Sequence, residues 1–244
     1  MTVKDRRLEG EEKATYLASM FARIARRYDL LNTVMTCGRH RAWRRLTVDI
    51  ALAGDTGPAL DVATGTGDLA LELARRRGVR PVVGLDIVPD MLAVAQAKAR
   101  PRRRSRNLVW VQGDALRLPF PDSTFACAVC GFSLRNVTDI QRALTEMARV
   151  VRPGGRVVSL ELTPLRRGKL SSKFVRFYFR RIVPVLGTIL AGDRKAYSYL
   201  PASVESFPAA HDLQQMYKTA GLIAVGYQKV GLGLVAVHWG SKPT

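Results

Sequence analysis

Short apolar segments typical of strands alternate with segments typical of helices from Pro58 onward. The strand candidates read PALDVA, PVVGLD, NLVWVQGD, FACAVCGFSL and RVVSLEL, and the helix candidates between them read DLALELARRR, PDMLAVAQAKA and TDIQRALTEMARVV. In the last of these helices, Thr138 and Gln141 form a capping-box pattern. The third and fourth strand candidates are too apolar for a sheet with one face in solvent. This alternation predicts an α/β fold with a parallel, doubly wound sheet.

The pattern changes after Leu162. Residues 166–208 contain helix and turn signals but no strand candidate. A last helix candidate, AAHDLQQMYKTAG, precedes LIAVGYQKV and LGLVAVHWG, which can pair as an antiparallel hairpin at the edge of the sheet. The first fifty residues look helical. We therefore expect an N-terminal helical lid segment over 1–57, followed over 58–244 by a mostly parallel seven-stranded domain with a helical insertion at about 166–208.

The sequence DVATGTGD, residues 61–68, lies where the first strand meets the first helix of the sheet domain. Glycines at such a turn let the backbone approach a ligand closely. The pattern is acid-x-x-x-G-x-G, and it consists of Asp61, Gly65 and Gly67 with Thr66 between the glycines. Ala63 stands where the full dinucleotide fingerprint has a glycine. We interpret the turn as a candidate nucleotide site, although a glycine-rich turn alone has low specificity.

Two further acids follow strand candidates. Asp86 ends the second strand about 20 residues beyond the glycines, where a carboxylate can accept hydrogen bonds from ribose hydroxyls. Its alternative role is a helix N-cap or a turn residue ahead of Pro89. Asp114 closes the third strand, and Asp114 and Ala115 are expected beside an adenine. Acids at three successive strand ends would repel a pyrophosphate, so S-adenosylmethionine, which has no phosphate, fits the site better than NAD.

Composition bears on the partners and on the compartment. The 39 Lys and Arg residues against 20 Asp and Glu give a formal net charge of +19. This balance suggests an anionic partner, either nucleic acid or a membrane surface, unless it reflects an arginine-rich proteome. No apolar run reaches the roughly 18 residues of a membrane span, and the N-terminus does not resemble a signal peptide. These features predict a cytoplasmic protein.

Cys127 and Cys130 form a C-x-x-C pattern, which invites a metal or redox interpretation. Both cysteines lie inside the apolar fourth strand, where residues three apart face opposite sides. The sequence contains no second Cys/His cluster to complete a zinc site. We therefore expect both cysteines to pack in the core and no metal to be bound.

Several spaced motifs match one family in the same order along the chain. The segment YDLLNTVMTCGRHRAW fits the family signature Y-D-x-M-N followed by H-x-x-W, with Tyr28, Asp29, Asn32, His40 and Trp43 in place. The segments RVVRPGGRVVSLELT, GDALRLPFPDSTF, LRNVTDI and LAGDRKAYSYLPASVESFP follow the family pattern as well. The chain resembles the ubiquinone/menaquinone biosynthesis C-methyltransferases, a branch of the class I S-adenosylmethionine-dependent methyltransferases.

The resemblance implies a reaction and a set of cofactor neighbours. Such an enzyme moves a methyl group from S-adenosyl-L-methionine to an aromatic ring carbon of a reduced polyprenyl quinone. Demethylmenaquinol is the favoured acceptor, and a 2-methoxy-6-polyprenyl-1,4-benzoquinol or another phenolic metabolite is the alternative. The resemblance implies that the residues beside the cofactor are Thr66, Asp86, Asp114, Ala115 and Gly131. Gly131 departs from the family, because relatives often carry a small hydroxyl residue there.

The ring carbon of a quinol is a poor nucleophile until a neighbouring hydroxyl loses its proton. Arg135 is the leading candidate to stabilise the resulting phenolate, because an arginine stays protonated in proteins. The alternative for Arg135 is an ion pair with Asp139 or Glu161. Asn136 is expected either to hold the second quinol oxygen or to cap the loop.

The N-terminal signature supplies further candidates. His40 can accept the proton at neutral pH, and its alternative is a structural role. Tyr28 and Asn32 are expected to close a lid over the cofactor when water must be excluded.

The segment KLSSKFVRFYFRRIV, residues 169–183, concerns substrate delivery. At helical spacing it places four basic side chains on one stripe and aromatic side chains broadly opposite. This predicts either docking on anionic lipid, at the inner face of a membrane, or a lid helix that packs its aromatics inward. A nucleic-acid methyltransferase is the remote alternative, because FSLRN stands where base-amine methyltransferases carry an Asn/Asp-Pro-Pro-aromatic motif. A homo-oligomer is left open.

Overall fold

The computed structural model describes residues 10–53, 55–100, 107–164, 199 and 202–244. Two helices come first, α1 (Gly10–Thr36) and α2 (His40–Leu52). The elements that follow are β1 (Gly57–Val62), α3 (Asp68–Leu73), β2 (Val79–Asp86), α4 (Pro89–Ala99), β3 (Leu108–Gln112), β4 (Phe125–Gly131), α5 (Ile140–Val150), β5 (Val151–Leu162), α6 (Ala210–Thr219), β6 (Ile223–Val230) and β7 (Val235–Ser241).

Within the described ranges, seven strands form one sheet in the order β3-β2-β1-β4-β5-β7-β6. The first five strands pair in parallel, whereas β7 runs antiparallel to both β5 and β6. Six strands therefore point one way, and their carboxyl ends share one edge. The predicted doubly wound sheet and the predicted C-terminal hairpin are both confirmed. The strand order reverses between β1 and β4, which is where open α/β sheets bind ligands.

The core consists of two apolar layers, one on each face of the sheet. One layer includes Cys130 with Leu144 and Tyr217, and the other includes Cys127 with Val48. Because successive side chains of a strand alternate between its faces, the two cysteines of the C-x-x-C pattern cannot act together. Their packing into opposite core layers agrees with the expectation from the sequence.

Some boundaries differ from the predictions for physical reasons. Helix α5 was predicted through Val151 and the next strand from Arg156, but the helix ends at Val150 and β5 starts at Val151, which pairs with Phe125 ahead of a register shift. Helix α3 ends at Leu73 rather than near Arg77. The N-cap of α5 is Asp139 instead of Thr138, because its side chain accepts the Arg142 N–H at 2.8 Å. Strand β4 ends at Gly131, and a 3₁₀ turn (Leu134–Asn136) follows.

Most of the expected insertion at 166–208, with the basic segment 169–183, lies outside the described residues. The lid boundary at residue 57 stays a prediction. Among the helices that the structure describes, none has the length and apolar character needed to cross a membrane.

Candidate active site

A cavity of about 410 Å³ opens at the carboxyl edge of the sheet. Residues that follow β1, β2, β3 and β4 form its floor, and side chains of α1 and α2 close its other side. The predicted cofactor neighbours on its wall are Asp61, Gly65, Thr66, Asp86, Asp114, Ala115 and Gly131. Of the predicted catalytic residues, Tyr28 and Asn136 line this cavity. The sheet thus brings together residues that lie more than a hundred positions apart in the sequence.

The glycine-rich turn has the left-handed backbone that its composition predicts. Gly65 and Gly67 have φ angles of 54° and 81°, and Ala63 has 52°. A Cβ on Gly67 would lie 2.6 Å from the Trp110 ring, so this glycine allows close packing although it does not line the cavity. Ala63 adopts the conformation of a glycine at the position where the dinucleotide fingerprint has one.

Asp61 fastens this turn to the start of α3. Its Oδ2 accepts the Thr64 hydroxyl at 2.5 Å and the Ala70 N–H at 2.8 Å. The residue is 1% exposed, and Oδ1 is buried without a hydrogen-bond partner in the described structure. Burial raises the pKa of Asp61 to about 7. The cavity wall therefore contains one buried carboxylate oxygen that a cationic or hydrogen-bonding ligand can satisfy.

The other two acids lie at the next strand ends. Asp86 accepts the Gly65 N–H at 2.7 Å and the Val88 N–H at 2.9 Å. Burial raises its pKa. Asp114 is exposed and accepts the Leu116 N–H at 2.9 Å. An ionised carboxylate has about four acceptor sites, so both acids can bind ligand hydroxyls or amines in addition. This is an acceptor-rich surface that fits an adenosine and disfavours a phosphate.

The end of β4 is closely packed at Gly131. A Cβ on Gly131 would lie 2.7 Å from Cδ1 of Leu69, so Leu69 fills the space that a larger residue needs. Phe132 follows with a φ of 59° and lines the cavity. Its N–H donates to the Leu160 carbonyl at 2.7 Å, which fixes this strained residue to β5.

Arg135 is not among the described residues that line this cavity, where direct contact with the acceptor was expected. Its Nη1 lies 3.6 Å from Oε2 of Glu161 and also donates to the Phe132 carbonyl. Oε1 of Glu161 accepts the N–H groups of Ser133 and Leu134, each at 2.7 Å. The ion pair that the sequence left open therefore forms with Glu161. Arg135 lines a neighbouring cavity of about 350 Å³ instead.

Asn136 keeps contact with the main cavity. Its Nδ2 donates to the Phe132 carbonyl at 3.4 Å, and its Oδ1 accepts the Tyr199 hydroxyl at 3.3 Å. Val137 and Thr138 line both cavities, so this loop is the wall between them.

His40 is buried and does not line the cavity. Its Nε2 lies 3.2 Å from the Thr33 hydroxyl oxygen, and its Nδ1 contacts Nη1 of Arg44. An arginine can only donate, so Nδ1 accepts and the ring is neutral. Burial, followed by the charge of Arg44, lowers the pKa of His40 to about 4. Both ring nitrogens are thus occupied, and the proton-acceptor role of His40 stays a prediction that the geometry does not favour.

A chain of charged groups joins the N-terminal helices to the glycine-rich turn. Arg44 lies 3.1 Å from Asp68, and Lys98 contacts both Asp68 and Asp29 at 2.6 Å. Asp29 also accepts the Thr66 hydroxyl at 2.5 Å. Two of these residues lie in sequence motifs, because Asp29 belongs to the N-terminal signature and Asp68 follows the glycines. Lys98 had no local signal, since its partners are 30 and 69 residues away.

Solved structures place this fold among known enzymes. The phosphoethanolamine N-methyltransferase 2 of Haemonchus contortus, solved in complex with S-adenosyl-L-methionine, superposes with a TM-score of 0.61 at 15% sequence identity. The match covers 82% of this chain and 52% of that chain. The fold is that of the Rossmann-like methyltransferases.

The family follows from the sequence comparisons. The sequence model of the ubiE/COQ5 methyltransferase family matches residues 9–242, and the chain belongs to this family. It is 45% identical to the demethylmenaquinone methyltransferase of Thermus thermophilus, over 92% of this chain and 100% of the relative. It is 42% identical to the ubiquinone/menaquinone biosynthesis C-methyltransferase UbiE of Desulfotalea psychrophila, over 94% of this chain and 92% of the relative.

Proposed function

We propose that this protein transfers the methyl group of S-adenosyl-L-methionine to a ring carbon of demethylmenaquinol. The observation that carries the proposal is the 45% identity with a demethylmenaquinone methyltransferase over the whole length of that relative. The cavity supports it, because the strand-end acids form one wall and apolar side chains of α1 form another.

The acid-lined wall is the proposed cofactor site. S-adenosyl-L-methionine supplies a methyl group that its sulfonium already activates, so the protein has mainly to align the reactants. Asp86 accepts hydrogen bonds from the ribose hydroxyls, Asp114 and Ala115 lie beside the adenine, and Asp61 faces the ammonium of the methionine part. The unpartnered oxygen of Asp61 supports the last contact, because a buried polar atom without a partner is costly.

The acceptor ring lies between α1 and the loop after β4 in this proposal. Phe21, Phe132 and Val137 supply apolar surface, and Tyr28 and Asn136 supply polar groups for the two quinol oxygens. An apolar pocket with a few convergent polar groups is typical of small-molecule sites. Quinol hydroxyls titrate near 10 by analogy with tyrosine, so the acceptor has to lose a proton as its ring carbon attacks.

Arg135 acts through the loop in this proposal. Its guanidinium contacts the Phe132 carbonyl and lies beside Glu161, so it fixes the residues that face the acceptor without touching it. An Arg135→Ala variant that methylates demethylmenaquinol with unchanged kcat and KM would remove this role.

Peripheral contact with an anionic membrane is a further part of the proposal. A polyprenyl quinol resides in lipid, and 39 basic residues against 20 acidic ones favour an anionic surface. The protein is expected to sediment with anionic vesicles at low salt and to be released at high salt. Failure to sediment with anionic vesicles would contradict this part alone.

The experiment for the function is a quinone profile in a host that lacks its own quinone C-methyltransferase. We expect the wild-type gene to restore methylated menaquinone, and an Asp86→Ala gene to fail at equal protein level. Restoration of ubiquinone without menaquinone would instead support the benzoquinol acceptor, and the name of the Desulfotalea relative includes ubiquinone biosynthesis. Restoration of neither quinone would contradict the proposal.

A further inference from the structure

The charges on the cavity wall are unequal. Among the described residues that line it, Arg44 is the only lysine or arginine, whereas the acids are Asp61, Asp68, Asp86 and Asp114. Arg44 comes from α2, outside the sheet, and only 8% of it is exposed. A buried cation on the wall of a cavity requires anionic partners to offset the loss of hydration. One such partner is Asp68, and the cavity itself has room for another.

Arg44 lies at the end of the cavity where the glycine-rich turn begins α3. Its Nη1 is 3.1 Å from Oδ2 of Asp68, which directly follows Gly67. Burial raises the pKa of Asp61, and the charge of Arg44 offsets part of that rise, so the two side chains are electrostatically close. On its other side, Cζ lies 6.0 Å from the centre of the Phe132 ring. These contacts place the guanidinium between the turn and the end of β4.

The guanidinium is held in place before any ligand binds. Asp68 and His40 both contact Nη1, and His40 can accept this hydrogen bond because its ring is neutral. A guanidinium has five N–H donors in a planar fork. The described contacts use Nη1 only, so Arg44 can bind a carboxylate while it keeps its partners. A preorganised fork of this kind loses little rotamer entropy on binding.

The methionine part of S-adenosyl-L-methionine carries an ammonium and a carboxylate on one carbon. The wall offers acids for the ammonium, but a carboxylate placed among four acids would be repelled unless a cation neutralised it. We infer that Arg44 binds the methionine carboxylate of S-adenosyl-L-methionine and thereby fixes the tail of the cofactor beside Asp61. The inference rests on the proposed function, because it requires this cofactor.

The test is calorimetric binding of three ligands that differ in the tail. S-adenosylhomocysteine carries both charges, S-adenosyl-3-thiopropylamine lacks only the carboxylate, and 5′-methylthioadenosine lacks both. Wild-type protein is expected to bind S-adenosylhomocysteine about 10- to 100-fold more tightly than S-adenosyl-3-thiopropylamine, as for one hydrogen-bonded charge pair. In Arg44→Met this preference is expected to fall to within about 3-fold, while Arg44→Lys retains part of it.

Two controls distinguish loss of the carboxylate contact from misfolding and from the loss of one positive charge. Arg45 is the next residue of α2 and is exposed, so Arg45→Met removes the same charge from the surface and is expected to bind all three ligands as wild type does. Affinity of Arg44→Met for 5′-methylthioadenosine should also equal that of wild type, which reports an intact nucleoside site.

Several outcomes would overturn the inference. One is equal affinity of wild-type protein for S-adenosylhomocysteine and S-adenosyl-3-thiopropylamine, which needs no variant to fold. A second is an Arg44→Met variant that still prefers S-adenosylhomocysteine over S-adenosyl-3-thiopropylamine as strongly as wild type does. A third is an Arg44→Met variant whose affinity falls by the same factor for all three ligands. If wild-type protein bound none of the three, the proposed function itself would be contradicted.

Discussion

Ala63 and Phe132 have left-handed backbone conformations in the wall of the cavity, with φ angles of 52° and 59°. Such conformations cost a non-glycine residue roughly 1–2 kcal/mol and persist where the surrounding structure enforces them. Ala63 is the residue after β1 and Phe132 the residue after β4. The two strained residues therefore mark the strand ends that flank the change in strand order.

Ala63→Gly is expected to raise the free energy of unfolding by roughly 0.5–1 kcal/mol, because glycine adopts a positive φ without steric cost. Urea denaturation measures the change. Ala97 supplies the matched control, since it is exposed in α4 and Ala97→Gly should lower stability by about 1 kcal/mol. A loss of stability in both variants would contradict the strained backbone at Ala63.

Asp61 makes the stability of the protein depend on pH. Burial raises its pKa from 3.8 to about 7 in the folded state, so between these values the folded protein holds a proton that the unfolded chain has released. The unfolding free energy contributed by Asp61 therefore falls as pH rises from about 4 to 7, by up to about 4 kcal/mol.

Asp61→Asn cannot ionise and should not show this decline. Between pH 4.5 and 7.5, the unfolding free energy of wild type is therefore expected to fall relative to that of Asp61→Asn. Urea denaturation at both pH values, without cofactor, measures it. A difference that is the same at both pH values would show that Asp61 does not hold the proton.

Among the helices and strands, helix α5 has two candidate N-cap residues, Asp139 and Thr138. Asp139 accepts the Arg142 N–H at 2.8 Å, whereas the sequence pattern favoured Thr138. Asp139→Ala is expected to cost about 1 kcal/mol of unfolding free energy, as the loss of an N-cap does. Thr138→Ala should change stability by less than half of that. If thermal or urea unfolding showed a larger loss of stability for Thr138→Ala than for Asp139→Ala, Thr138 would be the cap, as the sequence predicted.

Helix α1 is proposed to work as a lid on the sheet domain, and substitution of Lys98 tests whether an ionic contact holds it there. This side chain bridges Asp29 of α1 and Asp68 of α3, at 2.6 Å from each. Because the side chain is 22% exposed, Lys98→Met should lower the opening free energy of α1 by only about 1 kcal/mol. Hydrogen exchange is expected to accelerate in α1 and to stay unchanged in β1 and β4.

Lys218 of α6 is exposed, and Lys218→Met is the control for loss of a positive charge. If exchange in α1 were the same in Lys98→Met, Lys218→Met and wild type, the ionic contact would not hold the helix. If exchange accelerated throughout the sheet, the contact would stabilise the whole domain, and α1 would not open independently of the sheet.

The elements differ in how well the sequence predicted them. Helix α4 matches its predicted span, Pro89–Ala99. A proline at its first position predicts where it starts, and its apolar pattern predicts the residues that follow. The start of β5 was missed, since Pro153 and the glycines after it are ordinary stop signals for a helix. Pairing with β4 overrides that local signal, and pairing partners cannot be seen in a local pattern.

At the scale of the whole molecule, the predicted acids of the cavity follow from a simple rule. Carboxyl ends of parallel strands share one edge, so Asp61, Asp86 and Asp114 had to come together once the sheet was parallel. The contact of Arg135 with Glu161 did not follow, because Glu161 lies on a neighbouring strand 26 positions later in the sequence. The place of Arg44 on the cavity wall was missed for the same reason, as α2 lies outside the strand pattern.

The reaction proposed for this protein is methyl transfer to a reduced naphthoquinone ring. The most direct measurement uses purified protein, methyl-labelled S-adenosyl-L-methionine and three acceptors under reducing conditions: short-chain demethylmenaquinol, a methoxy-polyprenyl-benzoquinol and total RNA. We predict label in the naphthoquinol product, at a rate well above that for the benzoquinol, and none in RNA. Label in RNA, or no label in either quinol while the protein binds S-adenosylhomocysteine, would contradict this reaction.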